Sequence, residues 1–127
     1  MSAYYVDMIA INPKDERIST PPVNVLVDTG SELSWLPKQL LLDAGITQRG
    51  KKRFTVATGE VVERDYGYAI LSAEGFSTTD EIIFAEDNDL MLLGVRTLEG
   101  FCVLVDNVDH RLIARPSLAG SFIGIRD

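Results

Sequence analysis

Short β-branched and aromatic runs, each soon cut off by turn formers, constrain this chain most. "YYVDMIAI" (Tyr4–Ile11) stops at Asn12-Pro13, "VNVLV" (Val23–Val27) at Asp28, and "EIIFA" (Glu81–Ala85) at the acidic stretch "EDND". Such runs read as strands, because branched and aromatic side chains suit a pleated surface while Asp, Asn, Gly and Pro break it. "FTVATGEVVERDYGYAIL" (Phe54–Leu71) predicts a long hairpin turning at Ala57-Thr58-Gly59-Glu60, and "CVLVD" with "RLIAR" predicts a last hairpin across "NVDH". The 127 residues suffice for one core and are too few for two, so residues 1–127 are expected to form a single domain. The fold class is mainly β with one or two short helices. "KQLLLDAGI" predicts a short helix with Gly45 just past its end, and "VRTLEGF" predicts one or two helical turns. "LMLLG" (Leu90–Gly94) is apolar on both faces and should be a central strand.

Composition excludes several function classes. A formal charge of −7 argues against nucleic acid as a partner. The local exception, "RGKKR" at Arg49–Arg53, reads as a solvated loop before a strand. No apolar run approaches a membrane span, and "MSAYYVDMIAINP" shows no signal-peptide pattern. The single cysteine, Cys102, cannot form an internal disulfide and reads as a small buried hydrophobe, which favours a reducing, cytoplasmic setting. His110 is the only histidine, and with Asp106 and Asp109 it reads as a polar turn. The chain offers no nucleophile elbow, zinc spacing, calcium loop or glycine-rich phosphate loop, so neither metal nor cofactor is expected.

That leaves Asp28. The stretch "NVLVDTGSELSWLP" runs an apolar strand directly into an acid, a hydroxyl and a glycine. Later come a hairpin with Thr-Gly at its turn, then Leu92-Leu93-Gly94 and a short helix. In these residues the chain resembles the aspartic protease superfamily. "VDTGSELSWLP" resembles the first active-site segment of pepsin-like enzymes. The length, the single D-T-G and "LLGVRTLEGFCVLVD" resemble the single-lobe retroviral type and its bacterial and archaeal relatives. The resemblance implies a closed, β-barrel-like acid protease fold with one flap hairpin, acting as a homodimeric aspartic endopeptidase on extended peptides.

Hydrolysing a peptide without a metal or nucleophile takes one carboxylate as base and one carboxylic acid as proton donor. Two carboxyls about 3 Å apart share a proton and divide those roles. The other D-x-G, Asp43-Ala44-Gly45, falls at a helix end where Gly45 serves as a cap, so it is a poor second half-site. Two copies would have to bring their Asp28 residues together across a two-fold axis. By resemblance, the apolar Leu118–Ile125 would build that interface, with Tyr4–Val6 a weaker candidate.

The remaining roles follow from the same resemblance. Thr29 would bond across the dyad, and Gly30 would let substrate backbone approach. Ser31 and Glu32 would meet substrate main chain, while Ala57, Thr58, Gly59 and Glu60 would form the closing flap. Gly94 would pack beneath the catalytic loop. Trp35 and Leu36 read mainly as core, with lining a substrate subsite as the lesser reading, and Tyr66 and Tyr68 as packed or cross-strand residues. The pepsin-like flap tyrosine is missing, with Val56 near its place. The rival reading is a catalytically silent dimerisation or peptide-binding module of the same fold.

Overall fold

The computed structural model describes residues 3–116. It contains nine strands and two short helices, and is mainly β. In chain order these are β1 (Tyr5–Ile11), β2 (Val23–Val27), β3 (Ser34–Pro37), α1 (Lys38–Asp43), β4 (Gly50–Thr55), β5 (Val61–Ala73), β6 (Phe76–Ala85), β7 (Leu92–Leu93), α2 (Val95–Phe101), β8 (Val103–Asp106) and β9 (Arg111–Ala114). Seven strands form one sheet in the order β1-β2-β7-β3-β6-β5-β4. The second half of β1 also pairs with β5, Met8 facing Ala73 and Ile11 facing Ile70, so the path of pairings returns to its start. β8 and β9 make a separate two-stranded sheet. The Leu118–Ile125 segment lies outside the described residues.

The core is what the period-two pattern dictates. Val6, Met8 and Ala10 are the buried face of β1, and with Val25, Leu36, Leu71, Ile82, Phe84 and Leu93 they fill the interior. Each large aliphatic or aromatic side chain taken fully from water contributes roughly 1.5–3 kcal/mol, so the inward face holds the strands together. α1 buries Leu41 and ends at Gly45, whose φ of +75° suits a glycine. The buried Asn12 amide donates to the Ala44 carbonyl at 3.0 Å, tying β1 to the helix end.

Three expectations need correction. The basic run is not a loop: Gly50–Arg53 lies within β4. Its charges are met across the sheet, Lys51 by Asp65 at 2.7 Å and Lys52 by Glu81 at 3.2 Å, while Arg53 stands opposite Glu63. Cys102 is exposed rather than buried, because the chain leaves α2 there in the left-handed conformation at φ 58°. The central strand is shorter than "LMLLG" suggested. Leu90 is exposed and only Leu92–Leu93 pairs, though it does so centrally, between β2 and β3.

The Phe54–Leu71 hairpin forms as expected, and β5 continues to Ala73. It then turns over Glu74-Gly75, both at positive φ, the two-residue geometry that matches strand twist. His110, in the β8–β9 turn, stacks on Tyr4 with ring centroids 5.3 Å apart. Tyr66 and Tyr68 meet edge to face at 6.1 Å, as packed neighbours on one strand face.

Candidate active site

The "DTGS" stretch hangs between β2 and β3, and β7 runs between those two legs. β7 is parallel to β2 and antiparallel to β3. Asp28 leaves β2 with its N–H donating to the Leu93 carbonyl at 3.0 Å. Its side chain is half-buried, and Oδ1 accepts the Gly30 N–H at 2.8 Å. The Ser31 N–H closes the turn on the Asp28 carbonyl at 3.1 Å, and the Ser31 hydroxyl donates to the Leu33 carbonyl at 2.8 Å.

The first turn of α2 secures the loop from below. A helix leaves its first N–H groups without internal partners. Here the Val95 N–H donates to the Ser31 carbonyl at 2.8 Å and the Arg96 N–H to the Glu32 carbonyl at 3.0 Å. The loop caps the helix, and the helix fixes the loop. Gly94 is required at this junction. A Cβ there would run into the Leu33 carbonyl and stand 2.8 Å from the Ser31 oxygen, both backbone atoms. The expectation that Gly94 packs beneath the loop is met for a steric reason, since its φ of −95° is open to any residue.

Asp28, Gly30, Ser31 and Glu32 line one cleft of about 490 Å³, within the size range of ligand sites. Ala57 at the hairpin end lines it too, along with Phe54, Thr55 and Val56 from the hairpin arm. The turn itself is held by Val56 N–H to Glu60 carbonyl at 2.9 Å, with Gly59 at φ +89°. Thr58, Gly59 and Glu60 are exposed and lie outside the cleft lining. Thr29 points elsewhere, into a neighbouring groove of about 360 Å³ walled by Val95, Leu98, Val103 and Val105.

The cleft also holds Phe54, Leu33 and Leu92, which sequence reasoning did not place there, and Trp35, for which a subsite was the lesser reading. Trp35, read mainly as core, is half-buried and forms the wall, its ring 5.0 Å from that of Phe54 and tilted by 51°. Leu33 and Leu92 complete the apolar side. Phe54 carried a signal in its place three residues before the hairpin turn, on the alternating arm. The loop before β7 is braced by Arg64, whose guanidinium fork takes both Asp89 oxygens at 2.7 and 2.9 Å. That bonding holds the Asp89 carboxyl below the usual carboxylate range, against the opposing effect of burial.

Among the described residues no group of three or more His, Cys, Asp or Glu side chains could hold a metal ion, and no helix is long and apolar enough to cross a membrane. The chemistry at hand in the cleft is a carboxylate on a hydrogen-bonded loop beside an apolar wall, under a hairpin.

Comparison with known proteins agrees with this geometry. A family model described as aspartyl protease matches residues 16–97, spanning the Asp28 loop, the hairpin and Gly94. No curated protein matches the chain. Among solved structures, the retroviral protease-like domain of Ddi1 from Leishmania major superposes with a TM-score of 0.54 at 18% identity, covering 92% of this chain and 91% of that one. With the family model covering well over half of its length, the chain belongs to the aspartyl protease family, and its fold is retropepsin-like.

Proposed function

We propose that this protein is an aspartic endopeptidase that hydrolyses extended peptides with two Asp28 carboxylates brought together in a homodimer. The observation that carries the reading is the setting of Asp28. Its backbone is bonded to β7, its carboxylate to Gly30, and its open side faces a peptide-sized cleft. One acid cannot be base and proton donor at once, so the chemistry needs a second copy. With the pair assembled, the ionised carboxylate takes a proton from water as the water oxygen bonds to the peptide carbonyl carbon, while the protonated partner gives its proton to the carbonyl oxygen. The resulting tetrahedral species collapses with protonation of the leaving nitrogen.

Support for the two-fold contact comes from Thr29, which is exposed away from the substrate cleft, beside a groove of α2 and β8 that Glu99, Asn107 and Arg115 line together with the valines and leucines. The closed path of strand pairings supports the barrel-like form expected of such a subunit. Ser31 and Glu32 lie where they can meet substrate main chain. Ala57–Glu60 forms the flap, of which Ala57 already touches the cleft. The Trp35–Phe54 wall favours substrates with a bulky apolar side chain near the scissile bond. We place this activity in the cytoplasm.

Replacing Asp28 by Asn tests the reading. The Asn carbonyl can still accept the Gly30 N–H, so the fold should survive while cleavage between about pH 3 and pH 7 disappears. Cleavage at the wild-type rate in that variant would remove Asp28 from the mechanism. Tight binding of a statine-type transition-state mimic by the wild-type dimer would separate an enzyme from a silent module.

A further inference from the structure

One buried carboxylate has no part in the hydrolysis described above. Asp80, on β6, is nine-tenths buried. Its Oδ1 accepts the Glu81 N–H at 2.7 Å and faces the Arg96 guanidinium at 3.3 Å, while its Oδ2 accepts the Thr97 hydroxyl at 3.0 Å. Thr97 has a single hydroxyl proton, and it goes to Asp80. The 2.6 Å contact between Thr97 Oγ1 and Ser34 Oγ must therefore be donated by Ser34. Ser34 Oγ in turn accepts the buried Gly94 N–H at 2.9 Å. Thr97 and Ser34 are fully buried, so every bond in this chain is made away from water.

The chain ends at the residues that hold Asp28. Leu93 accepts the Asp28 N–H, Val95 donates to Ser31, and Gly94 lies between them. We propose that Asp80, acting through Thr97 and Ser34, is a positioning residue that locks Leu93–Gly94–Val95 and so sets the Asp28 loop. The carboxylate only accepts, which gives the run of hydroxyls one direction and leaves the Ser34 lone pair free for Gly94. The kinetic consequence rests on the protease reading; the structural consequence does not.

The test compares Thr97→Val, which keeps the shape and loses the hydroxyl, with Thr97→Ser, which keeps the hydroxyl. In Thr97→Val, amide hydrogen exchange at Asp28, Gly94 and Val95 should accelerate about tenfold or more, while that at Ala69 and Leu71 in β5 stays at the wild-type rate. Peptide cleavage should lose about tenfold in kcat with KM nearly unchanged, and Thr97→Ser should restore both. Unchanged exchange at the three loop amides overturns the proposal. So does acceleration spread evenly over β5, or a Thr97→Ser protein as impaired as Thr97→Val. If Thr97→Val does not fold, Asp80→Asn keeps an acceptor for Thr97 but loses the charge, and is expected to shift the same amides by a smaller factor; no shift there sinks the idea. A wild-type protein that cleaves nothing, while the exchange pattern holds, would refute the protease reading and leave the positioning role standing.

Discussion

The backbone N–H of Asp28 donates to the carbonyl of Leu93, so the acid is suspended from a strand more than sixty residues further along the chain. Strand β7 is only two residues long, yet it bonds to both legs of the Asp28 loop. Its brevity makes the residue that follows critical.

Gly94→Ala should therefore be among the most damaging single-methyl changes available. The new Cβ would meet the backbone of Leu33 and Ser31, which cannot rotate away as a side chain would. Overpacking of this kind typically costs 1–3 kcal/mol, and with backbone on two sides a loss of about 3 kcal/mol is expected in urea unfolding. A loss below about 1 kcal/mol would mean that the loop shifts freely, contrary to its hydrogen bonding.

The elements that were legible in the sequence are those whose signals are local. Val23–Val27, the hairpin turn at Ala57–Glu60, and Gly45 after α1 each combine a propensity with an adjacent breaker. What escaped depends on partners far along the chain. Lys51 and Lys52 read as a solvated run until β5 and β6 supply Asp65 and Glu81 beside them. "FSTTD", the polar first half of β6, is a strand because β5 pairs with it residue by residue from Ala73↔Phe76 onward. Ser34, Thr97 and Asp80 carry no local mark, since 63 and 17 positions separate the bonded pairs. Asp28 stood out because its type and context were both local, whereas Trp35 joined the cleft only once Phe54 folded back over it.

Acid should weaken the fold through Asp89. The Arg64 fork keeps its carboxyl below the ordinary range, burial works against this, and the Glu86 N–H helps. A carboxyl that ionises more readily when folded adds stability that is fully present above the unfolded pKa of about 4 and is lost as pH falls through the lower folded value. Asp65, lowered first by its bond to Lys51, acts in the same direction. Asp89→Asn should cost about 2 kcal/mol at pH 7, and its stability should converge on that of the wild type near pH 2. Urea melts at both pH values read this directly. A deficit that persists undiminished in acid would show that the charge is not the cause.

Tyr4→Phe should be neutral or stabilising, by up to about 1 kcal/mol. The Tyr4 hydroxyl is buried and has no hydrogen-bond partner among the described residues. Burial, with the charge of Glu74 adding to it, pushes its ionisation upward. Removing the oxygen relieves a desolvated group and leaves the stack on His110 intact. Thermal unfolding at neutral pH is the check, and a marked loss of stability would mean that the hydroxyl has found a bond.

Trp35→Leu separates packing from recognition at the cleft. The indole is half-buried against Phe54 at 5.0 Å and lines the same space as Asp28. Leucine keeps the position apolar but removes the flat wall, so a modest stability cost of about 1–2 kcal/mol is expected. If the rings grip a bulky apolar side chain in the transition state, discrimination between a Phe-containing peptide and its Ala counterpart should fall about tenfold in kcat/KM. A pure packing role predicts something else, with both peptides slowed alike or neither affected. The ratio of the two kcat/KM values is insensitive to the fraction of folded protein, so it decides between the roles even where the variant is less stable than the wild type.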